Sequence, residues 1–207
     1  MSTLLDLRPA GTRSVLVELP GNASVRKLVV AAREQIAGLE EVVAGHDTVL
    51  LVWEPGRRPP TDLKDRLAAV LSSRHRDPEP RTIALDVRYD GPDLGAVADA
   101  CNMSPEEVVR RHAAAVYEVG FLGFAPGFAY LLGGDPQLQP PRRDSPRARV
   151  PAGSLALAGE YSAIYPTASP GGWHLLGSCD ATLFDLARPE PALLTTGTRV
   201  ELRVGGA

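Results

Sequence analysis

In the first ninety residues, segments with the apolar spacing of a β-strand alternate with segments that have the apolar spacing of an α-helix. Short apolar or alternating runs predict β-strands at Ser14–Leu19, Glu41–Ala44, Thr48–Trp53 and Arg81–Tyr89. Between them, apolar residues recur every three or four positions from Val25 to Ile36 and from Leu63 to Leu71, which predicts two amphipathic helices. The order strand, helix, two strands, helix, strand resembles a split β-α-β sandwich. We therefore predict an N-terminal α/β domain over residues 1–90.

The pattern changes after Asp90-Gly91-Pro92, which we take as the domain boundary. Ser104-Pro105-Glu106-Glu107 is a helix start, with a capping serine and proline in the first turn. From Val116 to Val204 short strand-like runs are separated by glycine and proline turns, a pattern typical of a β-barrel or sandwich. The prediction is an α+β protein whose second domain, residues 91–207, is mainly β.

Composition narrows the function classes. The chain is 44% hydrophobic and 23% charged with a net charge of −3, so neither nucleic acid nor a membrane surface is an expected partner. Lys27 and Lys64 are its only lysines, and neither lies in a phosphate-binding loop or a biotin-attachment sequence. No secretory leader and no apolar run of membrane-spanning length are present, so a cytoplasmic location is expected.

Arginines are concentrated in one proline-stiffened segment. Four of them lie within eight residues, at positions 142, 143, 147 and 149, opposed there only by Asp144. Guanidinium groups bind carboxylates and phosphates through paired hydrogen bonds. Two interpretations stay open: a solvated basic loop, or a rigid site for an anion or a partner.

Aromatic residues and turns flank this segment. Phe121, Phe124, Phe128 and Tyr130 surround the Pro126-Gly127 turn, and Ser169–His174 forms a second glycine-rich turn. Core packing explains the rings equally well, but the turns also suit a pocket with accessible backbone N–H groups.

The histidines give no metal-ligand spacing, and no metal or covalent cofactor is predicted. His112, near the end of a predicted helix, is either a structural contact or a general base. Motifs for a serine hydrolase elbow and for dinucleotide binding are absent.

Four ordered motifs carry a family resemblance: GFLGFAPGFAYL from Gly120, PRRDSPRARVPAGS from Pro141, IYP from Ile164 and SPGGWHLLG from Ser169. Together they resemble the carboxyltransferase-like family long labelled allophanate hydrolase subunit 1, which includes the B subunit of bacterial ATP-dependent 5-oxoprolinase and the KipI-type kinase inhibitor. The resemblance implies an N-terminal α/β domain and a C-terminal cyclophilin-like β-barrel.

What the resemblance implies about function is membership of a cytoplasmic, ATP-dependent amide hydrolase complex that opens 5-oxoproline to glutamate. ATP would be used through the complex. The implied partners are a small amide substrate, a LamB/YcsF-type protein (the 5-oxoprolinase A subunit) and a second carboxyltransferase-like protein (the 5-oxoprolinase C subunit). Two alternatives remain: a carboxyltransferase subunit of the allophanate hydrolase or urea carboxylase type, and a module that inhibits a sensor histidine kinase.

Site residues follow from the resemblance by motif position. Those expected to meet an anionic ligand or a phosphorylated intermediate are Arg142, Arg143 and Arg147, with His112 as the proton-transfer group. Those expected to wall the pocket are Phe124, Pro126, Gly127 and Tyr130, and those expected to form the opposite rim are Tyr165, Pro166, Ser169, Pro170, Gly171, Gly172 and Trp173. Tyr161 departs from the family pattern and adds bulk near that rim.

Overall fold

The computed structural model describes residues 5–72 and 80–205. The chain divides into two compact units, Met1–Glu79 and Pro80–Ala207. No helix in the described ranges has the length and apolar character needed to span a membrane.

The first unit is a four-stranded antiparallel sheet with two helices. Its elements are β1 (Asp6–Pro9), β2 (Ser14–Glu18), α1 (Asn22–Gln35), β3 (Leu39–Ala44), β4 (Thr48–Trp53) and α2 (Leu63–Ser72). The strand order β1-β2-β4-β3 places β4 between β2 and β3, and the helix α1 connects those two outer neighbours. This is the split β-α-β arrangement that the hydrophobic periods predicted. The short edge strand β1 was not predicted.

The core of this unit lies between the sheet and the helices. Leu28 of α1, Leu67 of α2 and Leu51 of β4 are fully buried in it. The helical spacing seen in the sequence is therefore the face that packs on the sheet.

The second unit is built mainly from short strands. Its elements are β5 (Thr82–Arg88), α3 (Leu94–Ala100), α4 (Pro105–Ala114), β6 (Val116–Leu122), β7 (Ala129–Leu132), β8 (Arg147–Val150), β9 (Ser154–Ala158), β10 (Tyr161–Ile164), β11 (Ser169–Gly171), β12 (His174–Cys179) and β13 (Arg199–Val204). Seven strands close a barrel in the order β10-β7-β6-β13-β5-β12-β9, while β8 and β11 pair separately. The α+β class and the C-terminal barrel are thus confirmed.

The strand β5 lies on the other side of the predicted boundary. Residues 81–89 were assigned to the N-terminal domain, but β5 runs parallel to β13, with Thr82 opposite Arg199 and Val87 opposite Val204, and is hydrogen-bonded to β12 on its other side. The division falls between Glu79 and Pro80 instead of after residue 90. An alternating strand with one apolar face fits either sheet, so its periodicity could not decide between them.

The predicted helix start at Ser104 is confirmed. The Ser104 hydroxyl accepts a hydrogen bond from the Glu107 N–H at 3.2 Å, and Pro105 occupies the first helical position. Apolar residues of α3 and α4, including Val97 and Val108, pack against Leu176 of β12. This packing fixes the N-terminus of α3 beside the barrel, where the candidate site begins.

Candidate functional site

The arginine-rich segment and the second glycine-rich turn are neighbours in the structure. The strand β8 pairs with β11, with Val150 opposite Ser169 and Arg147 opposite Gly171. Just before β8, the backbone N–H of Arg143 donates to the carbonyl of Gly172 at 2.9 Å. Two motifs that the sequence separates by about twenty residues therefore form one surface.

At its centre lies a carboxylate that the sequence analysis did not single out. Asp93, immediately before α3, is 4% exposed. Arg147 donates to both of its oxygens, at 2.8 and 2.7 Å, and Arg143 Nη1 donates to Oδ1 at 2.9 Å. The backbone N–H of Leu175 donates to Oδ2 at 2.7 Å. Each carboxylate oxygen thus accepts two hydrogen bonds.

These contacts keep Asp93 ionised. Burial by itself raises the pKa of a carboxyl group, but the hydrogen bonds from Arg147 and Leu175 and the charges of Arg147 and Arg143 outweigh it. The net effect lowers the pKa of Asp93 below its ordinary value. The result is an ion cluster in which two guanidinium groups share one negative charge.

A glycine brings Asp93 to this position. A Cβ atom on Gly91 would lie 2.2 Å from the carbonyl oxygen of Leu175, so a side chain there is incompatible with the observed path. The turn is held by hydrogen bonds from the Gly91 N–H to the Leu176 carbonyl and from the Asp93 N–H to the Leu175 carbonyl, both 3.1 Å. The chain therefore passes directly against β12 before α3 begins.

Next to the ion cluster lies a pocket of about 300 Å³. Its lining is aromatic on most sides and basic on one: Phe124, Phe128, Tyr130, Arg142, Arg143, Pro146, Tyr165, Gly172 and Trp173. We call this cavity the aromatic pocket. Such a combination suits a small, flat ligand that carries negative charge.

The rings of the aromatic pocket are packed edge to face. The Phe128 ring centroid lies 5.2 Å from that of Tyr165 and 5.7 Å from that of Trp173, at interplanar angles of 80° and 79°. Phe124 contacts Phe128 in the same way but is 61% exposed, with a backbone φ of 66°. The pocket therefore has a rigid inner wall and one exposed ring.

Arg142 differs from its neighbours in the same segment. It is exposed, lines the aromatic pocket and makes no side-chain hydrogen bond or ion pair within the described ranges. Arg143 and Arg147 are instead bound to Asp93. Arg142 is therefore the cationic group best placed to bind a ligand.

The glycine at position 171 makes room for a pocket residue. A Cβ atom there would lie 2.3 Å from the Tyr165 hydroxyl and 3.1 Å from a Val150 methyl group. Gly127 has a comparable role in the first turn, since its φ of 81° favours glycine and a Cβ would lie 2.7 Å from the Cβ of Phe184. These glycines shape the backbone behind the pocket.

The structure does not support the assignment of His112 as a proton-transfer group. His112 is 1% exposed inside the barrel, with Nδ1 2.8 Å from the Tyr89 hydroxyl and Nε2 2.7 Å from the Ser162 hydroxyl. The Tyr117 hydroxyl donates to its carbonyl at 2.9 Å. Burial lowers the pKa of His112 from 6.5 to about 3, so the ring is neutral at physiological pH. It does not line the aromatic pocket.

The remaining predicted site residues fall into two groups, those that line the aromatic pocket and those that lie behind its lining. Those that line the pocket are Phe124, Tyr130, Arg142, Arg143, Tyr165, Gly172 and Trp173. Those that lie outside the lining, in the turn, bend or strands behind it, are Pro126, Gly127, Arg147, Pro166, Ser169, Pro170 and Gly171. Tyr161 also lies outside the lining, stacked on Trp173 with the ring centroids 6.3 Å apart.

Three further residues complete the site. Phe128 and Pro146 line the pocket, and Asp93 orders its arginines. The aromatic motif pointed to Phe128, but Asp93 is fifty residues from Arg143. No group of three or more potential metal-ligating His, Cys, Asp or Glu side chains comes together in residues 5–72 and 80–205.

Comparison with known families and sequences gives consistent matches. The model of "Carboxyltransferase domain, subdomain C and D" matches residues 5–194. An Escherichia coli O157:H7 protein named as the B subunit of 5-oxoprolinase is 37% identical over 199 residues, which cover 92% of this chain and 91% of that protein. A protein of the same name from Haemophilus influenzae is 35% identical, with coverage of 98% and 99%.

Solved structures show the same fold. TTHA0988 superposes with a TM-score of 0.79 at 35% identity, over 94% of this chain but 40% of that longer chain. PH0987 from Pyrococcus horikoshii matches with a TM-score of 0.58 at 30% identity over 96% and 97%. The Kluyveromyces lactis urea amidolyase has a TM-score of 0.75 at 21% identity, covering 99% of this chain and 15% of that chain, and at this identity supports the fold alone.

Proposed function

This chain belongs to the carboxyltransferase-domain family of subdomains C and D, and from that membership we propose that it is the B subunit of an ATP-dependent 5-oxoprolinase. The observation that supports this proposal most strongly is sequence similarity to named relatives along nearly their whole length. Two relatives that carry this 5-oxoprolinase name match it along 91% and 99% of their own lengths, at 37% and 35% identity. The match includes both structural units, so it is not confined to a shared fold.

The proposed reaction makes specific demands on a binding site. 5-Oxoproline is a small five-membered lactam with a carboxylate, and its amide resists hydrolysis. Transfer of a phosphoryl group from ATP to the amide oxygen creates a leaving group, and water then opens the ring to give glutamate, ADP and phosphate. A site for the substrate must hold a flat ring and a negative charge, and it must keep them in a fixed orientation.

The aromatic pocket supports this assignment through its size and charge. We propose that Arg142 binds the substrate carboxylate or the phosphorylated intermediate, because its guanidinium lines the pocket without a protein partner in the described ranges. Phe128, Tyr165 and Trp173 would pack against the ring. Asp93 would act through Arg143, which it holds at the wall of the same pocket.

Arg143 has one feature that supports a role beyond structure. Its Nε is fully enclosed and has no hydrogen-bond partner, although Nη1 is bound to Asp93 and the residue lines the pocket. An unpaired buried guanidinium nitrogen is costly in a finished core. An unsatisfied donor beside the pocket is consistent with reorganisation when an anion binds.

ATP and the partners enter the proposal through the complex. The sequence has no phosphate-binding loop, so we propose that nucleotide is bound jointly with two partners, a LamB/YcsF-type protein and a second carboxyltransferase-like protein. This chain spans only 40% of TTHA0988, so that longer chain contains further sequence that this chain does not match. The urea amidolyase similarity carries no substrate assignment, since its sequence identity is 21%.

Reconstitution tests the proposed function directly. The chain is co-expressed with the two proposed partners, the complex is purified, and ADP release is measured with and without 5-oxoproline. We expect ADP release that requires 5-oxoproline and all three subunits. ADP release that is unaffected by 5-oxoproline, in a complex that assembles, would contradict the proposal.

A further inference from the structure

We propose that the aromatic pocket selects carboxylates whose amino nitrogen is part of an amide and rejects free amino acids that carry an ammonium group. The choice of 5-oxoproline as the ligand rests on the proposed function. The discrimination between an amide nitrogen and an ammonium group is argued from the side chains that line the pocket. The distinction matters because opening the lactam with water converts the neutral amide into an ammonium group and a second carboxylate.

Two aromatic side chains offer polar groups to the pocket. Tyr165 and Trp173 line it and are 2% and 5% exposed, yet neither the hydroxyl nor the indole N–H makes a hydrogen bond within the described residues. Among the described residues, the fully enclosed side-chain atoms without a partner are Arg143 Nε, Ser169 Oγ and His174 Nδ1, and neither the hydroxyl nor the indole N–H is among them. The proposal places both groups within reach of a ligand in the pocket, whose lining includes Tyr165 and Trp173. An indole N–H only donates, and a phenol hydroxyl donates readily to an anion.

The phenol stays protonated in this setting. Burial raises the pKa of Tyr165, and the charges of Arg142 and Arg147 offset only part of that rise. Tyr165 can therefore donate a hydrogen bond to a carboxylate or an amide oxygen at neutral pH.

Charge in and beside the pocket is positive. Arg142 and Arg143 line it, and among its described lining residues none is acidic. Both oxygens of Asp93 are already taken by Arg143, Arg147 and Leu175. Asp144 is exposed and does not line the pocket. An ammonium group would therefore enter without a carboxylate to pair with.

Aromatic rings alone would favour the opposite outcome, because ring faces attract cations. Here the single carboxylate of Asp93 balances two guanidinium groups, those of Arg143 and Arg147, and Arg142 adds a further positive charge to the pocket lining. Repulsion between like charges within one pocket opposes a bound ammonium. The same cations favour a carboxylate, so the pocket distinguishes the two ends of an amino acid.

The consequence for the proposed reaction concerns how the pocket meets substrate and product. The lactam substrate presents a carboxylate and an amide oxygen, both of which accept hydrogen bonds from the donors of the pocket. The product glutamate presents an ammonium group in place of the neutral amide nitrogen and a second carboxylate in place of the amide carbonyl, so its net charge equals that of the substrate. The pocket would therefore discriminate against the product at the position that holds the amide nitrogen, and not through the ligand's net charge.

Three small molecules test the contributions of the carboxylate and of the amide nitrogen separately. 5-Oxoproline has the ring, the carboxylate and the amide; proline has the ring and the carboxylate but a ring ammonium; and 2-pyrrolidinone has the lactam without the carboxylate. Binding of each to the purified complex is measured by isothermal titration calorimetry without ATP, so that the readout is independent of turnover. The variants are Arg142→Ala and Tyr165→Phe, with Arg149→Ala as the matched control, since Arg149 is exposed and outside the pocket.

We expect 5-oxoproline to bind about tenfold or more tightly than proline and 2-pyrrolidinone, corresponding to the loss of one charge-assisted hydrogen bond or the gain of one repulsion. Arg142→Ala should weaken 5-oxoproline binding by about tenfold and leave weak 2-pyrrolidinone binding unchanged. Tyr165→Phe, which keeps the ring, should weaken 5-oxoproline binding by a smaller factor, and Arg149→Ala should match the unmodified complex.

Equal affinity for proline and 5-oxoproline, no saturable 5-oxoproline binding, or binding that Arg142→Ala leaves intact would each overturn the inference. The proposed function fails separately. Selective, Arg142-dependent binding of 5-oxoproline without 5-oxoproline-dependent ADP release would support the pocket and contradict the activity. The reverse result would support the activity and contradict the pocket.

Discussion

Arg147 donates hydrogen bonds to both carboxylate oxygens of Asp93, at 2.8 and 2.7 Å, across fifty-four residues of sequence. The contact ties the start of α3 to β8, and the Leu175 N–H adds β12 to the same carboxylate. Two arginines expected to bind a ligand, Arg143 and Arg147, therefore hold the site in shape. Arg142 and Arg143 both line the pocket, and of the two only Arg143 is bound to Asp93.

Removing the charge of Asp93 should destabilise the protein. In Asp93→Asn, two partly buried guanidinium groups lose their shared partner, and we expect the free energy of unfolding to fall by about 2–3 kcal/mol. The matched control is Asp180→Asn, because Asp180 receives two hydrogen bonds from Arg88 in similar geometry but is 80% exposed. Urea denaturation compares them. Equal losses in both variants would mean that burial does not matter at Asp93.

Two glycines only four residues apart should respond in opposite ways to alanine. A Cβ at Gly91 would lie 2.2 Å from the Leu175 carbonyl, so Gly91→Ala should cost about 2–3 kcal/mol of unfolding free energy by forcing the turn off β12. A Cβ at Gly95 meets nothing within 4 Å, and Gly95→Ala in α3 should stabilise by up to about 1 kcal/mol. Thermal or urea unfolding of both variants checks the pair. A tolerated Gly91→Ala would show that the turn has room to move.

Stability should depend on pH through His112. The folded ring has a pKa of about 3, whereas the unfolded ring has the ordinary value of 6.5. The unfolded state thus binds a proton that the folded state does not, so stability is fully present above pH 6.5 and declines as the pH falls below it. The expected slope from this residue is about 1.4 kcal/mol per pH unit. In His112→Gln the slope between roughly pH 6 and pH 5 should be smaller by that amount. An unchanged slope would exclude His112 as its source.

The place of Tyr165 in ligand binding can be tested through its neighbour. Gly171→Ala puts a methyl group 2.3 Å from the Tyr165 hydroxyl and should weaken 5-oxoproline binding by about tenfold through displacement of that ring. In a Tyr165→Phe background the hydroxyl is absent, so the same change should cost less. A double-mutant cycle on calorimetric affinities measures the coupling. Strictly additive effects would separate Gly171 from Tyr165.

The sequence predicted most of the fold and part of the site. The helical faces of α1 and α2 and the capping serine of α4 depend on local spacing, and all three were predictable. The placement of β5 was not, because pairing with β13 joins strands that are more than a hundred residues apart. Periodicity describes a strand's faces but not its neighbours.

Prediction of the candidate site was limited in the same way, because contacts between residues distant in sequence were not visible. The motifs identified the aromatic wall and the arginine segment, yet the roles of the individual arginines depended on Asp93, which is distant in sequence. Asp93 directly follows Gly91-Pro92, a turn that the sequence marks but that does not show which groups the carboxylate meets. The proton-transfer role of His112 finds no support in the structure, because both ring nitrogens have hydrogen-bond partners and the residue is buried, which a sequence does not show.

The most direct test of the account is the steady-state kinetics of the reconstituted complex with Arg142→Ala and Arg149→Ala. A contact with the substrate carboxylate, made in both ground and transition states, should appear in KM. We predict that Arg142→Ala raises the KM for 5-oxoproline by about tenfold or more with a smaller change in kcat, while Arg149→Ala stays close to the unmodified complex. If the two variants give the same KM as the unmodified complex, Arg142 does not bind the substrate and the central claim is wrong.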